Sequence, residues 1–109
     1  MTSTINIDAD ATKESASILK QKISETKTLI NRAMEAHTFM KTANKYFRKH
    51  GTCRGMIGIT DEMAANLNRK VDAKSSAPYT SGDLSESNND INLLKTRLSE
   101  LQDSLQATL

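Results

Sequence analysis

The stretch ASILKQKISETKTLINRAMEAHTFMKTANKYF, residues 16–47, decides the fold. Within it Ala16, Leu19, Ile23, Thr26, Ile30, Ala33, His37, Met40, Asn44 and Phe47 follow one another in steps of three and four. That spacing places all ten on one stripe of an α-helix and is the mark of a coiled-coil seam. No Gly or Pro interrupts the chain between Asp10 and Lys49, so the pattern predicts one helix over about residues 10–49. Such a helix would be about 60 Å long at 1.5 Å per residue. It needs a partner, because most helix stability in water comes from packing an apolar face.

The partner lies at the far end of the chain. Ile91, Leu94, Leu98, Leu101 and Leu105 repeat the three-four spacing. Ser87 with Asp90 resembles a capping box, which predicts a C-terminal helix over about 87–107. Between the two helices stand the breakers Gly51, Gly55, Gly58, Pro78 and Gly82. Thr60 followed by Asp61 and Glu62 opens a short helix over about 60–73, with Met63, Leu67 and Val71 as its apolar face. The Ser-rich stretch from Lys74 to Glu86 reads as a surface loop, and residues 1–9 as a flexible polar tail. The expected fold is therefore all-α: a long antiparallel two-helix hairpin, coiled-coil-like, with a short third helix in the connector at the closed end. Residues 10–109 are expected to form one helical domain.

Composition narrows the class further. A chain of 109 residues with 37% hydrophobic and 4% aromatic content builds a thin core. Ile18, Leu29, Met34 and Leu93 fall off the main stripes. They are either scattered exposed apolar residues or a second seam that makes a homo-oligomer, dimer or higher; the thin core favours the seam. No run of 18 apolar residues occurs, so no membrane span is expected. Met1–Asp10 has neither the basic cluster nor the apolar core of a secretory signal. The single cysteine, Cys53, rules out an internal disulfide framework and suits a reducing cytoplasm. A net charge of +2 does not by itself argue for nucleic acid.

The unusual residues gather at the closed end. All the aromatics (Phe39, Tyr46, Phe47, Tyr79), both histidines (His37, His50), Cys53 and all four glycines lie near the connector. No acidic residue occurs between Glu35 and Asp61, while Lys41, Lys45, Arg48, Lys49 and Arg54 do. Lys41, Lys45 and Arg48 share one helix face by their i, i+4, i+7 spacing. Arg54 sits in the loop Gly51-Thr52-Cys53-Arg54-Gly55, whose amides could approach an anion. Asn88 and Asn89 are expected at the opening of the last helix, where free backbone donors favour negative charge. Two readings compete. In one, the basic residues complement a helix dipole and the Gly and Asn residues are ordinary caps. In the other, Lys45, Tyr46, Arg48, Lys49, Thr52, Arg54, Tyr79, Asn88 and Asn89 line an anion-binding pocket. His50 and Cys53 could form a nucleophile and base, but no third orienting group is specified. His50, Cys53 and Asp61 make a poor metal set, and no P-loop or dinucleotide motif is present.

Two segments carry a resemblance. Asn44 to Glu62 (NKYFRKHGTCRGMIGITDE) and Ala77-Pro78-Tyr79 followed by Leu84 to Ile91 (LSESNNDI) are similar to an uncharacterised helical domain family. That family occurs in phage, plasmid and bacterial proteins, often near anti-restriction genes. The likeness covers about residues 40–100. Here Ile57 stands where the family's Gly-x-x-Gly turn commonly has Pro, the Trp usual after Pro-Tyr is missing, and Asn92 and Leu93 replace expected arginines. The resemblance implies a mobile-element setting and transfers no activity. Together with the composition it suggests a non-enzymatic counter-defence protein in the host cytoplasm, without cofactor or metal. It would bind and sequester an anionic, nucleotide-like ligand at the basic closed end. The alternative is an inhibitor or structural adaptor that docks on a host defence protein, and a third reading is a nucleic-acid-binding accessory protein.

Overall fold

The computed structural model describes residues 2–71 and 76–109, with side chains from residue 16 onward. Three helices follow in order: α1 (Thr2–His50), α2 (Asp61–Lys70) and α3 (Ser81–Thr108). Among the described residues there is no strand, and the two long helices pack together as a hairpin with α2 in the connector. The chain separates into two compact units, Met1–Arg32 with Ile91–Leu109, and Ala33–Asp90. Each unit takes part of α1 and part of α3.

The heptad stripe of α1 is the buried stripe. Ile23, Thr26, Ile30 and Asn44 are buried, and Ala16, Leu19, Ala33, His37, Met40 and Phe47 are half-buried. On α3, Ile91 is buried and Leu94, Leu98, Leu101 and Leu105 are half-buried. In the first unit the seam is aliphatic apart from Thr26, whose hydroxyl donates to the Lys22 carbonyl one turn back at 2.6 Å. That bond satisfies the hydroxyl inside the helix, so Thr26 is tolerated where a larger polar group would not be.

The second unit has a real cluster. Ala43, Cys53, Met56, Ala64 and Leu67 are buried together, with Phe39, Tyr46, Phe47, Ile59 and Tyr79 packed against them. Phe39, Ala43 and Tyr46 lie at i, i+4 and i+7 on α1, a second stripe beside the heptad seam. The connector and α2 cover this stripe. Thr60 starts α2 as expected: its backbone is extended and its hydroxyl accepts from the Met63 amide at 3.1 Å. The helix is shorter than the expected 60–73 and buries Ala64 and Leu67, whereas Met63 is left 42% exposed. Val71 is the C-cap of α2 rather than part of its face.

Two further boundaries differ from the sequence reading. Helical backbone extends to Thr2, into the segment read as a polar tail. The helix α3 begins at Ser81 rather than near Ser87, so residues 81–86 are helix and not loop. The reason is a capping box about two helical turns earlier, at Thr80 and Asp83. The Thr80 amide donates to Asp83 Oδ2 at 2.9 Å, and the Asp83 amide donates to Thr80 Oγ1 at 3.0 Å. Gly82 reads as a breaker in sequence, but in a first turn whose amides have no intrahelical partner it costs little. Ser87 and Asp90 therefore do not cap; Ser87 lies on the seam and its Oγ is 3.0 Å from His37 Nδ1. Residues 72–75, part of the expected loop, lie outside the described residues. No described helix is long and apolar enough to cross a membrane.

Candidate functional site

The closed end belongs to the second unit, and its geometry begins with Asn44. This buried side chain donates from Nδ2 to the Tyr79 carbonyl at 2.9 Å and accepts at Oδ1 from the Tyr79 amide at 2.9 Å. An amide side chain thus pairs with one residue's backbone as a neighbouring strand would, and it ties the Ala77-Pro78-Tyr79 segment to α1. Ala77 and Pro78 are buried by this attachment. The sequence reading placed Asn44 on the seam without giving it this task.

A second network holds the loop after α1. Gly51, at φ +71, ends the helix and its amide donates to the Phe47 carbonyl at 2.6 Å. The Cys53 amide donates to Asn68 Oδ1 at 2.9 Å, and Asn68 Nδ2 donates to Thr52 Oγ1 at 2.9 Å. Thr52 Oγ1 also accepts from the Arg54 amide at 3.1 Å, and the Met56 amide donates to the Cys53 carbonyl at 3.2 Å. Tyr46 then donates from its hydroxyl to the Arg54 carbonyl at 3.2 Å. Gly55, at φ +96, lies so close to that hydroxyl that a Cβ would come within 2.6 Å of it. The loop expected to present amides to an anion therefore has its Gly51, Cys53 and Arg54 amides already bonded inside the protein.

The nine residues expected around one pocket are divided. Lys45, Tyr46 and Lys49 come together with Thr42 and His50 along a shallow groove on α1, where the Tyr46 and His50 rings lie 4.2 Å apart at a 35° tilt. The Arg48 and Arg54 side chains are exposed and outside that groove. Thr52 is committed to Asn68. Tyr79 faces Lys70, whose Nζ stands 3.9 Å from the ring centroid. Asn88 and Asn89 are exposed inside α3, well past its first turn. Their expected role at a helix opening is corrected by the Thr80 cap, because backbone donors at those positions serve the helix itself.

Tyr79 and Lys70 line two further concavities. One, of about 350 Å³, is flanked by Ala33, Ala36 and Met40 on α1 and by Asp83, Glu86 and Asp90 on α3. The other, of about 230 Å³, is lined by Phe39, Met63, Asn66 and Leu67. The first is acidic where a phosphate pocket would be basic. The Asp83 carboxyl is held below its ordinary value, first by the hydrogen bond from the Thr80 amide, with the Thr80 hydroxyl and the Lys70 charge helping against partial desolvation. Burial raises the Tyr79 phenol, with Cys53 and Asp83 adding to the effect, so Tyr79 is neutral at physiological pH.

Cys53 is fully buried and burial pushes its thiol up, the reverse of what a thiolate nucleophile needs. His50 is exposed and stacks on Tyr46. Among the described residues no three His, Cys, Asp or Glu side chains gather closely enough to hold a metal ion. Sequence reasoning missed Asn44, Asn68 and Lys70. A polar residue on a heptad seam was the available signal for Asn44. The groove containing Asp83, Glu86 and Asp90 had none, since its acids were assigned to a loop and a cap. No family model, curated protein or solved structure matches this chain.

Proposed function

We propose that this chain is a non-enzymatic docking protein, a helical hairpin that acts by covering a surface of another protein. The observation that carries this reading is the division of the closed end. Its loop amides and neutral polar side chains are bonded to one another, while Met34, Ile57 and Met63 stand exposed in the same unit. Asn44, Thr52, Asn68 and the loop amides hold the fold, leaving few polar groups free to recognise a small ligand. In the first unit Ile18, Leu29 and Leu93 are exposed as well. A protein of this kind needs no catalytic group, which suits a counter-defence role in the mobile-element setting that the resemblance implies.

The test is site-specific photo-crosslinking from Leu29, Met34 and Met63 in cells producing the full chain. The expected result is a discrete adduct with a second, different protein. Absence of any adduct from all three positions, with thermal stabilisation by anionic nucleotides, would reverse the assignment.

One observation favours a second reading. The Thr42–Lys45–Tyr46–Lys49–His50 groove gathers two cations and an aromatic pair, a surface on which a nucleotide-like anion could rest. Under that reading a panel of cyclic and signalling nucleotides raises the melting temperature by mass action, and the K45A/K49A variant abolishes the rise.

A further inference from the structure

Two concave surfaces of the second unit share Tyr79 and Lys70 as a common wall. The first is apolar, with Phe39, Met63 and Leu67 along it. The second is acidic: Asp83, Glu86 and Asp90 stand at i, i+3 and i+7, one face of α3, over about 10 Å of helix. Three carboxylates there meet one lysine ammonium, so the lining carries an excess of negative charge. The ammonium of Lys70 lies over the Tyr79 ring, so the position where the two surfaces join already holds a cation of the protein's own. An aromatic face flanked by carboxylates is a general cation-binding arrangement, and here it borders an apolar slot. A phosphate or a nucleic-acid backbone would be repelled by the same lining.

We propose that this paired surface docks an amphipathic basic helix of a partner protein. The partner's apolar side chain enters beside Phe39, Met63 and Leu67. Its Lys or Arg residues, one turn apart, run along Asp83, Glu86 and Asp90, in the helix-in-groove manner of peptide recognition. Charge complementarity fixes the class of occupant, and Lys70 is the internal cation that the partner's first charge displaces or sits beside. The proposal rests on the docking reading above and adds the place and the chemistry of the partner.

The experiment is fluorescence anisotropy on the full chain with three synthetic peptides. One is an amphipathic Leu/Lys helix, one its Leu/Glu counterpart, and one a Ser/Lys peptide of equal positive charge. The Leu/Lys peptide is expected to bind at least about tenfold more tightly than either control, a difference of about 1.4 kcal/mol. Both the E86K/D90K double variant and Met63→Glu should lose that margin, while K45A/K49A should keep it. Asp83 is left intact because it caps α3, and circular dichroism confirms that each variant is folded. Lys70→Ala, which removes the internal cation, should tighten the Leu/Lys peptide. Equal binding of the three peptides, or binding indifferent to E86K/D90K and Met63→Glu, overturns the proposal. So does self-association of the chain that those variants abolish, since a second copy would then be the occupant. If the Leu/Lys peptide fails while crosslinks from Leu29 and Met34 persist, this site is wrong and the docking reading stands. If both fail, the docking reading falls with it.

Discussion

The two compact units draw on the same pair of long helices and are held together differently. In the first, Ile23, Ile30 and Ile91 are buried on a single aliphatic seam, and Thr26, the one buried polar residue among those described, bonds within its own helix. Among the described residues of this unit, no side-chain hydrogen bond links one helix to the other. In the second, the seam runs through His37 and Asn44, and both reach across to another segment, His37 to Ser87 and Asn44 to the Tyr79 backbone. A hydrophobic seam specifies that two helices meet. Buried polar pairs specify which residues meet, because a shifted register strands a buried donor or acceptor. The unit with the fixed register is the one that carries the Tyr79–Lys70 grooves.

The largest effect is therefore expected at Asn44. Replacing it with Ala removes two hydrogen bonds and strands the Tyr79 amide and carbonyl, at about 2–4 kcal/mol in denaturant unfolding. Amide exchange at Tyr79 should rise sharply in the same variant. A cost under about 1 kcal/mol would erase the contrast between the units. Next is Ile30→Ala in the first unit. It should cost about 2–3 kcal/mol, the low end of the range for large buried aliphatics, because a thin seam collapses easily around a lost side chain. Exchange at Tyr79 should be unchanged here, which separates the two units directly.

Gly55→Ala should cost about 1–2 kcal/mol, since alanine is strained at positive φ and its Cβ would crowd the Tyr46 hydroxyl. Thr80→Ala removes the cap of α3, at about 1 kcal/mol. The smallest effect is one of pH. Asp83 has a folded-state pKa below its ordinary 3.8. Its contribution is thus present above that value and lost as pH falls through the folded one. In acid titrations followed by circular dichroism, Asp83→Ala should flatten the loss below pH about 4 and leave neutral behaviour independent of pH.

Much of the fold was legible because its signals are periodic. All ten residues of the α1 stripe are buried or half-buried, and so are the five of α3. The start of α2 was legible from Thr60, whose hydroxyl makes the expected bond. The start of α3 was not, because Thr80-Ser81-Gly82-Asp83 reads as turn chemistry until the reciprocal Thr80–Asp83 bonds are seen. That misplacement carried into the site. With α3 begun at Ser87, Asn88 and Asn89 became helix-opening donors, and Asp83 and Glu86 were assigned to a loop. The basic cluster is legible in sequence as a run of Lys and Arg without an acid between Glu35 and Asp61. Its convergence on one pocket is not readable, since Lys45 and Lys49 share a groove on α1 that leaves Arg48 and Arg54 outside, and whether a loop amide is free depends on a distant residue such as Asn68.

Under the docking proposal, recognition occurs at the Tyr79–Lys70 grooves and not at the loop amides or the basic face. Amide chemical-shift mapping of the isotopically labelled chain tests it most directly, by titrating the Leu/Lys peptide and a cyclic dinucleotide in parallel. The peptide is expected to shift Phe39, Met63, Leu67, Lys70, Tyr79, Glu86 and Asp90, with the dinucleotide leaving the spectrum unchanged. Saturable dinucleotide shifts centred on Lys45, Tyr46, Lys49, Thr52 and Arg54, with none from the peptide, would contradict it.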